Sequence, residues 1–137
     1  MSDSRQRVLV VTPEQVVYDD NARFVVVPGT EGELGILPGH APLITLLKVG
    51  IVRIGQDGGE SRFVISGGVL EVRDNRVTVL TGAAEHPEEI DLARARAALK
   101  RAERRLAARA PDIDLDRARA ALMRAIVRLK AGLPEDR

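Results

Sequence analysis

The sequence predicts an α+β protein in which an antiparallel β body, a sandwich or a barrel, precedes an antiparallel hairpin of two helices. Two observations indicate this fold class. Short β-branched runs broken by Gly and Pro fill the first part of the chain, and a 17-residue helical pattern occurs twice in the last part. Strands do not alternate with helices, which argues against a parallel doubly wound sheet. We place the domain boundary between residues 1–86 and residues 87–137.

The β domain is predicted from short runs rich in Val and Ile. The runs lie at residues 7–11, 23–27, 50–54, 62–66 and 76–80. Turn-forming residues lie at the ends of each run, a pattern typical of antiparallel sandwiches and barrels. Asn21, Asp57-Gly58 and Asp74-Asn75 are candidate hairpin tips, and Gly67-Gly68 is interpreted as a turn.

The helical domain is predicted from an internal repeat. IDLARARAALKRAERRL at residues 90–106 and IDLDRARAALMRAIVRL at residues 113–129 agree at 13 of 17 positions. Leu and Ala recur in each copy at alternating steps of three and four, the stripe expected where two helices pack. The stripe consists of Leu92, Ala95, Leu99, Ala102 and Leu106, then Leu115, Ala118, Leu122, Ala125 and Leu129. The short link between the copies requires a tight reversal, so the helices should be antiparallel.

Each helix carries three arginines on one face. They are Arg94, Arg101 and Arg105 on the first helix, and Arg117, Arg124 and Arg128 on the second. Antiparallel packing should bring Arg94 to the level of Arg124 and Arg128. Converging cations repel unless they are solvated or paired. The cluster therefore indicates an anion or an acidic partner surface, unless the long side chains only cover the Ala-rich helices.

The charges are divided unevenly along the chain. Residues 1–86 hold 8 basic and 11 acidic residues, whereas residues 87–137 hold 13 basic and 9 acidic, for a total net charge of +1. This division fits a coupling or regulatory subunit whose basic arm contacts acidic protein or a nucleotide. A nucleic-acid-binding hairpin is the alternative, but a larger basic excess and interleaved aromatic residues would be expected there.

The chain lacks the residue patterns of an active site. It has no Cys and two His, and neither a phosphate-binding P-loop nor a G-x-S-x-G motif occurs. His40 lies between two prolines, where a hydrogen-bonded loop residue is a better interpretation than a catalytic base. We therefore predict that the protein is not an enzyme and requires no metal or cofactor. No run approaches the ~20 apolar residues of a membrane span, so direct membrane insertion is not expected.

Two stretches resemble a known family. Residues 28–50, PGTEGELGILPGHAPLITLLKVG, and residues 66–85, SGGVLEVRDNRVTVLTGAAE, are similar to hallmark segments of the epsilon-subunit family of F-type ATP synthases. The Arg/Ala hairpin that follows resembles the two-helix domain of that family. The resemblance implies a sandwich of about ten strands with a mobile helical hairpin.

The resemblance also implies a function and partners. It implies a non-catalytic subunit of the central stalk that couples the c-subunit ring to the gamma subunit during proton-driven ATP synthesis. It implies a peripheral position on the cytoplasmic face of the bacterial plasma membrane, with no nucleic acid as partner. The hairpin would extend towards the catalytic beta subunits and inhibit ATP hydrolysis.

The family pattern assigns contact residues to both domains. In the β domain, we expect residues 31–40 to form a loop, and Glu31, Glu33 and His40 in it match the segment of the family that meets the rotor. In the hairpin, the arginines expected to meet acidic side chains of beta are Arg101, Arg104, Arg105, Arg109, Arg117, Arg124 and Arg128.

The hairpin also matches the nucleotide motif of the family, which makes ATP a regulatory ligand by resemblance. The matching positions are Ile90, Asp91, Arg94 and Ala95, supported by Glu85, Arg101, Arg124 and Arg128. The second repeat, IDLDRA at residues 113–118, fits the same six-residue pattern. The pattern alone is therefore weakly specific, and the first copy is favoured because its supporting residues are in the expected places.

Overall fold

The computed structural model describes residues 4–87, 92–108 and 115–132. They form eight strands, β1 (Gln6–Val11), β2 (Val16–Ala22), β3 (Phe24–Gly29), β4 (Gly32–Ile36), β5 (Leu43–Gln56), β6 (Gly59–Arg73), β7 (Arg76–Leu80) and β8 (Ala84–Glu85), and two helices, α1 (Leu92–Ala108) and α2 (Leu115–Gly132). The chain divides into two compact units, Met1–Glu85 and His86–Arg137. The α+β class expected from the sequence is confirmed.

The strands of the first unit form one folded sheet in the order β2-β1-β7-β6-β5-β3-β4, with β8 beside β6. Neighbouring strands are antiparallel apart from β1 and β7, which run parallel with Val8 opposite Val77. The sequence gives no sign of this parallel pair, because the two strands are separated by most of the domain and meet only when the sheet closes.

The described residues contain eight strands instead of about ten, because two long strands, β5 and β6, each serve both layers of the sandwich. One end of β6 pairs with the start of β5 and with β7, and its other end pairs with the rest of β5 and with β8. The corner lies at Gly67 and Gly68, whose φ angles are +95° and +144°. This pair is therefore a bend inside β6 and not the turn expected from the sequence.

The core of the first unit is mostly aliphatic, with Phe63 as its one buried aromatic side chain among the described residues. Val8, Val25, Ile54, Phe63 and other inward residues from both layers form one buried cluster. The strands alternate between buried and more exposed residues, as in β1 and β7, so each layer turns one face inward. Burial of each such side chain contributes roughly 1.5–3 kcal/mol.

A buried polar contact joins the first strand to the opposite layer. The Gln6 side chain is buried, and its Nε2 donates a 2.8 Å hydrogen bond to the Ile36 carbonyl oxygen. Because this bond satisfies a polar group inside the core, it fixes the position of β4 against β1.

Two of the three predicted hairpin tips are confirmed. Asp57-Gly58 connects β5 to β6, and Asp74-Asn75 connects β6 to β7 with both residues at positive φ. Asn21 instead lies inside β2 and pairs with Arg7. Its turn preference is overridden there by pairing along the whole strand.

The second unit consists of α1 and α2 packed against each other. Ala95, Ala102 and Ala125 are buried, as expected for the small residues of the stripe, while Leu99 and Leu122 are half-buried. Within the described residues, neither helix combines the length and the apolarity that crossing a bilayer requires.

Candidate docking surfaces

The segment at residues 31–40 lies at the free edge of the sheet. Thr30 and Glu31 form the turn between β3 and β4, and β4 pairs with β3 alone among the described strands. Glu31 and Glu33 are both exposed. The expectation that the whole segment is a loop is wrong, because residues 32–36 pair with β3, so that Glu33 stands opposite Pro28.

The rest of this segment is a compact loop. The His40 backbone N–H donates to the Leu37 carbonyl oxygen at 3.2 Å, and its ring Nδ1–H donates to the Ala41 carbonyl oxygen at 2.7 Å. The His40 ring is thus held as the hydrogen-bonded loop residue that the sequence predicts. Leu37 is 63% exposed beside it, which adds an apolar contact to a surface predicted only from polar residues.

Asn75 holds this loop in place, although sequence reasoning assigned it only to a turn. Its Oδ1 accepts a 3.0 Å hydrogen bond from the Gly39 N–H, and its Nδ2 donates at 2.7 Å to the Arg5 carbonyl oxygen. Its own carbonyl oxygen accepts from the Arg7 N–H at 3.1 Å. Asn is suited to this position because it tolerates the left-handed φ of +59°.

An apolar row crosses the outer face of one layer, and sequence analysis also missed it. The row follows strand register through Leu46, Val69, Leu80, Val11 and Val16. Leu46 is 61% exposed and Leu80 is 47% exposed. No local sequence pattern indicates the row, because its members lie on five strands that become neighbours only in the folded sheet. A contiguous exposed apolar surface of this kind is typical of a docking site.

Ion pairs tie the turns of this unit together. Asp57 accepts hydrogen bonds from Arg23, at 2.5 Å, and from Arg5. The Arg23 hydrogen bond is the main cause that holds the pKa of Asp57 below its ordinary value of 3.8, and Arg5 adds to it. Likewise, the hydrogen bond from Arg7 lowers the pKa of Asp19.

The arginines assigned to the second unit lie mainly on its surface. The exposed ones are Arg94, Arg101, Arg104, Arg105, Arg117 and Arg124, and Arg128 is half-buried. Ala95 is buried, and Glu85 is half-buried in β8, opposite Val64. Ile90, Asp91 and Arg109 lie outside the described residues. The convergence of Arg94 with Arg124 and Arg128 stays a prediction.

The residues that the structure describes contain no group of three or more His, Cys, Asp or Glu suited to a metal ion.

The sandwich and the two-helix unit define a class of protein, one with an N-terminal β-sandwich domain followed by a domain of two helices. Two family models together match most of the chain. The ATP synthase delta/epsilon chain beta-sandwich domain matches residues 6–87, and the long alpha-helix domain of the same chain matches residues 88–132. The chain therefore belongs to the ATP synthase delta/epsilon chain family.

Individual relatives agree with this assignment. The ATP synthase epsilon chain of Desulforudis audaxviator is 60% identical over 111 residues, covering 81% of each chain. That of Pelotomaculum thermopropionicum is 60% identical over 107 residues, covering 78% of this chain and 80% of the relative.

Solved structures share the fold. A chain of the Euglena gracilis mitochondrial ATP synthase aligns with a TM-score of 0.72 at 24% identity, over 96% of this chain and 79% of that one. A chain from the central stalk and c-ring structure of the Tetrahymena thermophila enzyme aligns with a TM-score of 0.64 at 16% identity, over 97% and 100%. At these identities the likeness supports the fold alone.

Proposed function

We propose that this chain is the epsilon subunit in the central stalk of a bacterial F-type ATP synthase, coupling the c ring to gamma. The observation that carries the proposal is the match of both family models, in order, over residues 6–132. Residues 1–86 dock on the rotor and residues 87–137 regulate it. The subunit then lies peripherally on the cytoplasmic face of the plasma membrane, and its partners are gamma, the c ring and beta.

The rotor contact is assigned to Glu31, Glu33 and His40. Glu31 and Glu33 are exposed at the free edge of the sheet, and His40 is exposed in the loop after β4, which supports this role. The change Glu33→Lys reverses a charge without touching the core, so we expect weaker co-purification with the c ring and weaker ATP-driven proton pumping. Asp20→Lys, at an exposed position of β2 outside this segment and outside the apolar row, is the matched control. If both variants lost c-ring association and proton pumping equally, or if neither lost them, Glu33 would not be part of the contact.

The gamma contact is assigned to the apolar row, because docking there would remove exposed apolar area from water. Leu80→Glu places a charge in the middle of the row. We expect it to weaken association with gamma while the melting temperature of the isolated chain stays close to that of the wild type. Unchanged association of this variant with gamma would show that gamma binds another face of the chain.

Inhibition of ATP hydrolysis is assigned to the arginine faces of the second unit. Each exposed ion pair with beta contributes only about 0–1 kcal/mol, so several pairs must form together with apolar burial. The inhibition should weaken as salt rises. Deletion of residues 87–137 should raise hydrolysis by the whole complex, and unchanged hydrolysis would exclude an inhibitory arm.

ATP is proposed as a regulatory ligand, with no cofactor required. A site in the second unit formed by Arg94, Arg101, Arg124 and Arg128 with Ile90, Asp91 and Ala95 would bind polyphosphate through charge-assisted hydrogen bonds. Bound ATP would then favour a compact arm. Calorimetry of the isolated chain at millimolar ATP tests this, with Arg94→Ala expected to abolish the heat and Arg96→Ala to retain it. If the wild type gave no heat of ATP binding, the proposed ATP site would be wrong.

A further inference from the structure

Gln6 is a polar residue at an apolar position of β1. The inward-facing positions of this strand are Gln6, Val8 and Val10, and all three side chains are buried. A third Val at position 6 would continue the pattern. Because burying an amide costs free energy unless its hydrogen bonds are made, Gln6 is better explained by the group that it holds than by packing.

The group that Gln6 holds is the end of an edge strand. Its Nε2 donates at 2.8 Å to the carbonyl oxygen of Ile36, the last residue of β4. Among the described strands β4 pairs with β3 alone, and β1 is not its neighbour in the sheet. The hydrogen bond therefore anchors β4 on a side where it has no strand partner in the described part of the chain.

A second tie reaches the same end of β1. Asn75 accepts a 3.0 Å hydrogen bond from the Gly39 N–H and donates at 2.7 Å to the Arg5 carbonyl oxygen. Ile36 is thus attached directly to Gln6, and Gly39 is attached through Asn75 to Arg5. The chain between residues 36 and 39 is held at both ends against two consecutive residues of the first strand.

The tied residues lie between the side chains assigned to the rotor contact. Glu33 is exposed on β4, whereas Ile36 is buried. Since alternate residues of a strand face opposite sides, anchoring Ile36 inward also fixes the outward direction of Glu33. His40, on the other side, directly follows the tied Gly39.

The opposite end of β1 lies in the apolar row assigned to gamma. Val11, its last residue, stands opposite Leu80. The strand is about 17 Å long from Gln6 to Val11, and it is paired along both edges, with β2 and β7. Both proposed contacts are therefore attached to opposite ends of one strand in the interior of the sheet.

We propose that Gln6 is a positioning residue that makes the c-ring contact and the gamma contact act together, with β1 holding the edge at Glu33 in a fixed place relative to the apolar row. This role deepens the proposed function and rests on it. Once gamma is bound, the c-ring contact becomes intramolecular, and its contribution depends on how well the geometry of the edge is held. Gln6 itself is buried and would touch neither partner.

A comparison of two complexes isolates this role. The full-length chain is titrated into the soluble catalytic part of the ATP synthase, which contains gamma, and into the whole ATP synthase, each stripped of this chain. The ratio of the two dissociation constants measures the affinity that the c ring adds to a chain bound to gamma. Q6M keeps the size of the side chain and removes the donor. We expect it to lower this ratio about three- to tenfold, the equivalent of one neutral hydrogen bond.

The affinity of Q6M for the soluble part should change by less than about twofold. An unchanged ratio for Q6M, or an equal loss of affinity for both complexes, would overturn the positioning role. N75G removes the second tie and should lower the ratio in the same way, so the test does not depend on the folding of a single variant.

V10A is the control for general destabilisation. Val10 lies on the same buried face of β1, about 14 Å from Gln6 along the strand, and urea unfolding shows whether both variants lose similar stability. We expect V10A to leave the ratio unchanged. Hydrogen exchange of residues 32–37, followed by mass spectrometry, should accelerate several-fold in Q6M and stay constant in V10A. A ratio lowered equally by V10A would overturn the role of Gln6.

A double-mutant cycle with Glu33 tests how Gln6 acts. If Gln6 works through the position of β4, the loss in Q6M/E33A should be smaller than the product of the losses in Q6M and E33A. Losses that multiply would show that the two residues act independently, which would overturn the positioning role.

The rotor contact and the role of Gln6 can fail separately. If the wild type binds the two complexes equally, the proposed rotor contact is wrong and the role of Gln6 falls with it. If the wild type binds the whole ATP synthase more tightly, and E33A loses this gain while Q6M keeps it, the rotor contact stands and the role of Gln6 is wrong.

Discussion

Asn75 shows how one residue positions a surface that is distant in sequence. Its side chain bridges Gly39 in the exposed loop and Arg5 at the start of the chain. Each neutral hydrogen bond of this kind contributes about 0.5–1.5 kcal/mol. The bridge therefore fixes the loop that presents His40 and Leu37 to solvent.

We predict that Asn75→Gly loosens this loop without unfolding the domain. Gly accepts the left-handed φ, so the change removes the side-chain bridge and adds no backbone strain. Exchange of the Gly39 amide hydrogen, followed by NMR, should accelerate about tenfold, the result expected when about 1.4 kcal/mol of local stabilisation is lost.

Asp74→Gly is the matched control, because Asp74 also has positive φ and its carboxylate lies near the exposed Arg73 side chain. Gly39 exchange should be unchanged in this variant. Equal acceleration in both variants would show that the turn backbone, and not the Asn75 side chain, holds the loop.

Asp57 makes stability depend on pH in a defined direction. Because Arg23 and Arg5 lower its pKa in the folded chain below 3.8, the unfolded chain binds the proton more readily. The stabilisation is therefore fully present above about pH 4 and is lost as pH falls through the lowered folded pKa. Asp57→Asn should unfold at lower urea than the wild type at pH 7, and the difference should shrink below pH 3. A constant difference between pH 7 and pH 2.5 would contradict this assignment.

At the scale of the element, β6 takes part in both layers of the sandwich because glycine lies at its bend. A Cβ on Gly68 would stand 2.0 Å from the Leu80 carbonyl oxygen, and the φ of +144° is unfavourable for any other residue. The two glycines that the sequence suggests as a turn thus change the direction of the strand while its pairing with β5 continues on both sides of the bend.

We predict that Gly68→Ala destabilises the β domain by about 3 kcal/mol, from steric overlap with backbone and from left-handed strain. Gly58→Ala separates the two causes, because its φ is +81° and a Cβ there would meet nothing within 4 Å. It should cost about 1 kcal/mol. Urea unfolding of both variants measures the difference, and equal costs would show that the close approach to Leu80 is unimportant.

At the scale of the whole molecule, the two units are stabilised differently. The described residues of the β unit share a hydrophobic cluster drawn from its own strands. Among the side chains that the structure describes in the helical unit, the buried ones are the small ones of Ala95, Ala102 and Ala125. Since small side chains remove little apolar area from water, the helical unit should be the less stable of the two.

We predict that the isolated full-length chain unfolds in two steps on heating. Helical circular dichroism should decrease first and the sheet signal second, and deletion of residues 87–137 should remove the first step while moving the second by less than about 4 °C, roughly 1 kcal/mol for a domain of this size. A single transition reported equally by both signals would show that the units unfold together.

Several features followed from the sequence alone. The period of the repeat placed α1 and α2 and their buried alanines, and the turn residues at 57-58 and 74-75 marked two hairpins. The hallmark stretches identified the family that the family models confirm. These features are local, because helix periodicity, turn chemistry and contiguous motifs are each written within a few consecutive residues.

Other features were decided only by tertiary structure. The parallel pairing of β1 with β7, the bend of β6 at Gly68, the apolar row through Leu46 and Leu80, and the bridge from Asn75 to Gly39 each join residues that are far apart in the chain. Their partners are selected when two layers close over one core, and no local pattern specifies which strand edges and outer faces then become neighbours. The sequence by itself therefore determined the class, the helices and the family, whereas the candidate docking surfaces of the β unit arose from how its strands meet.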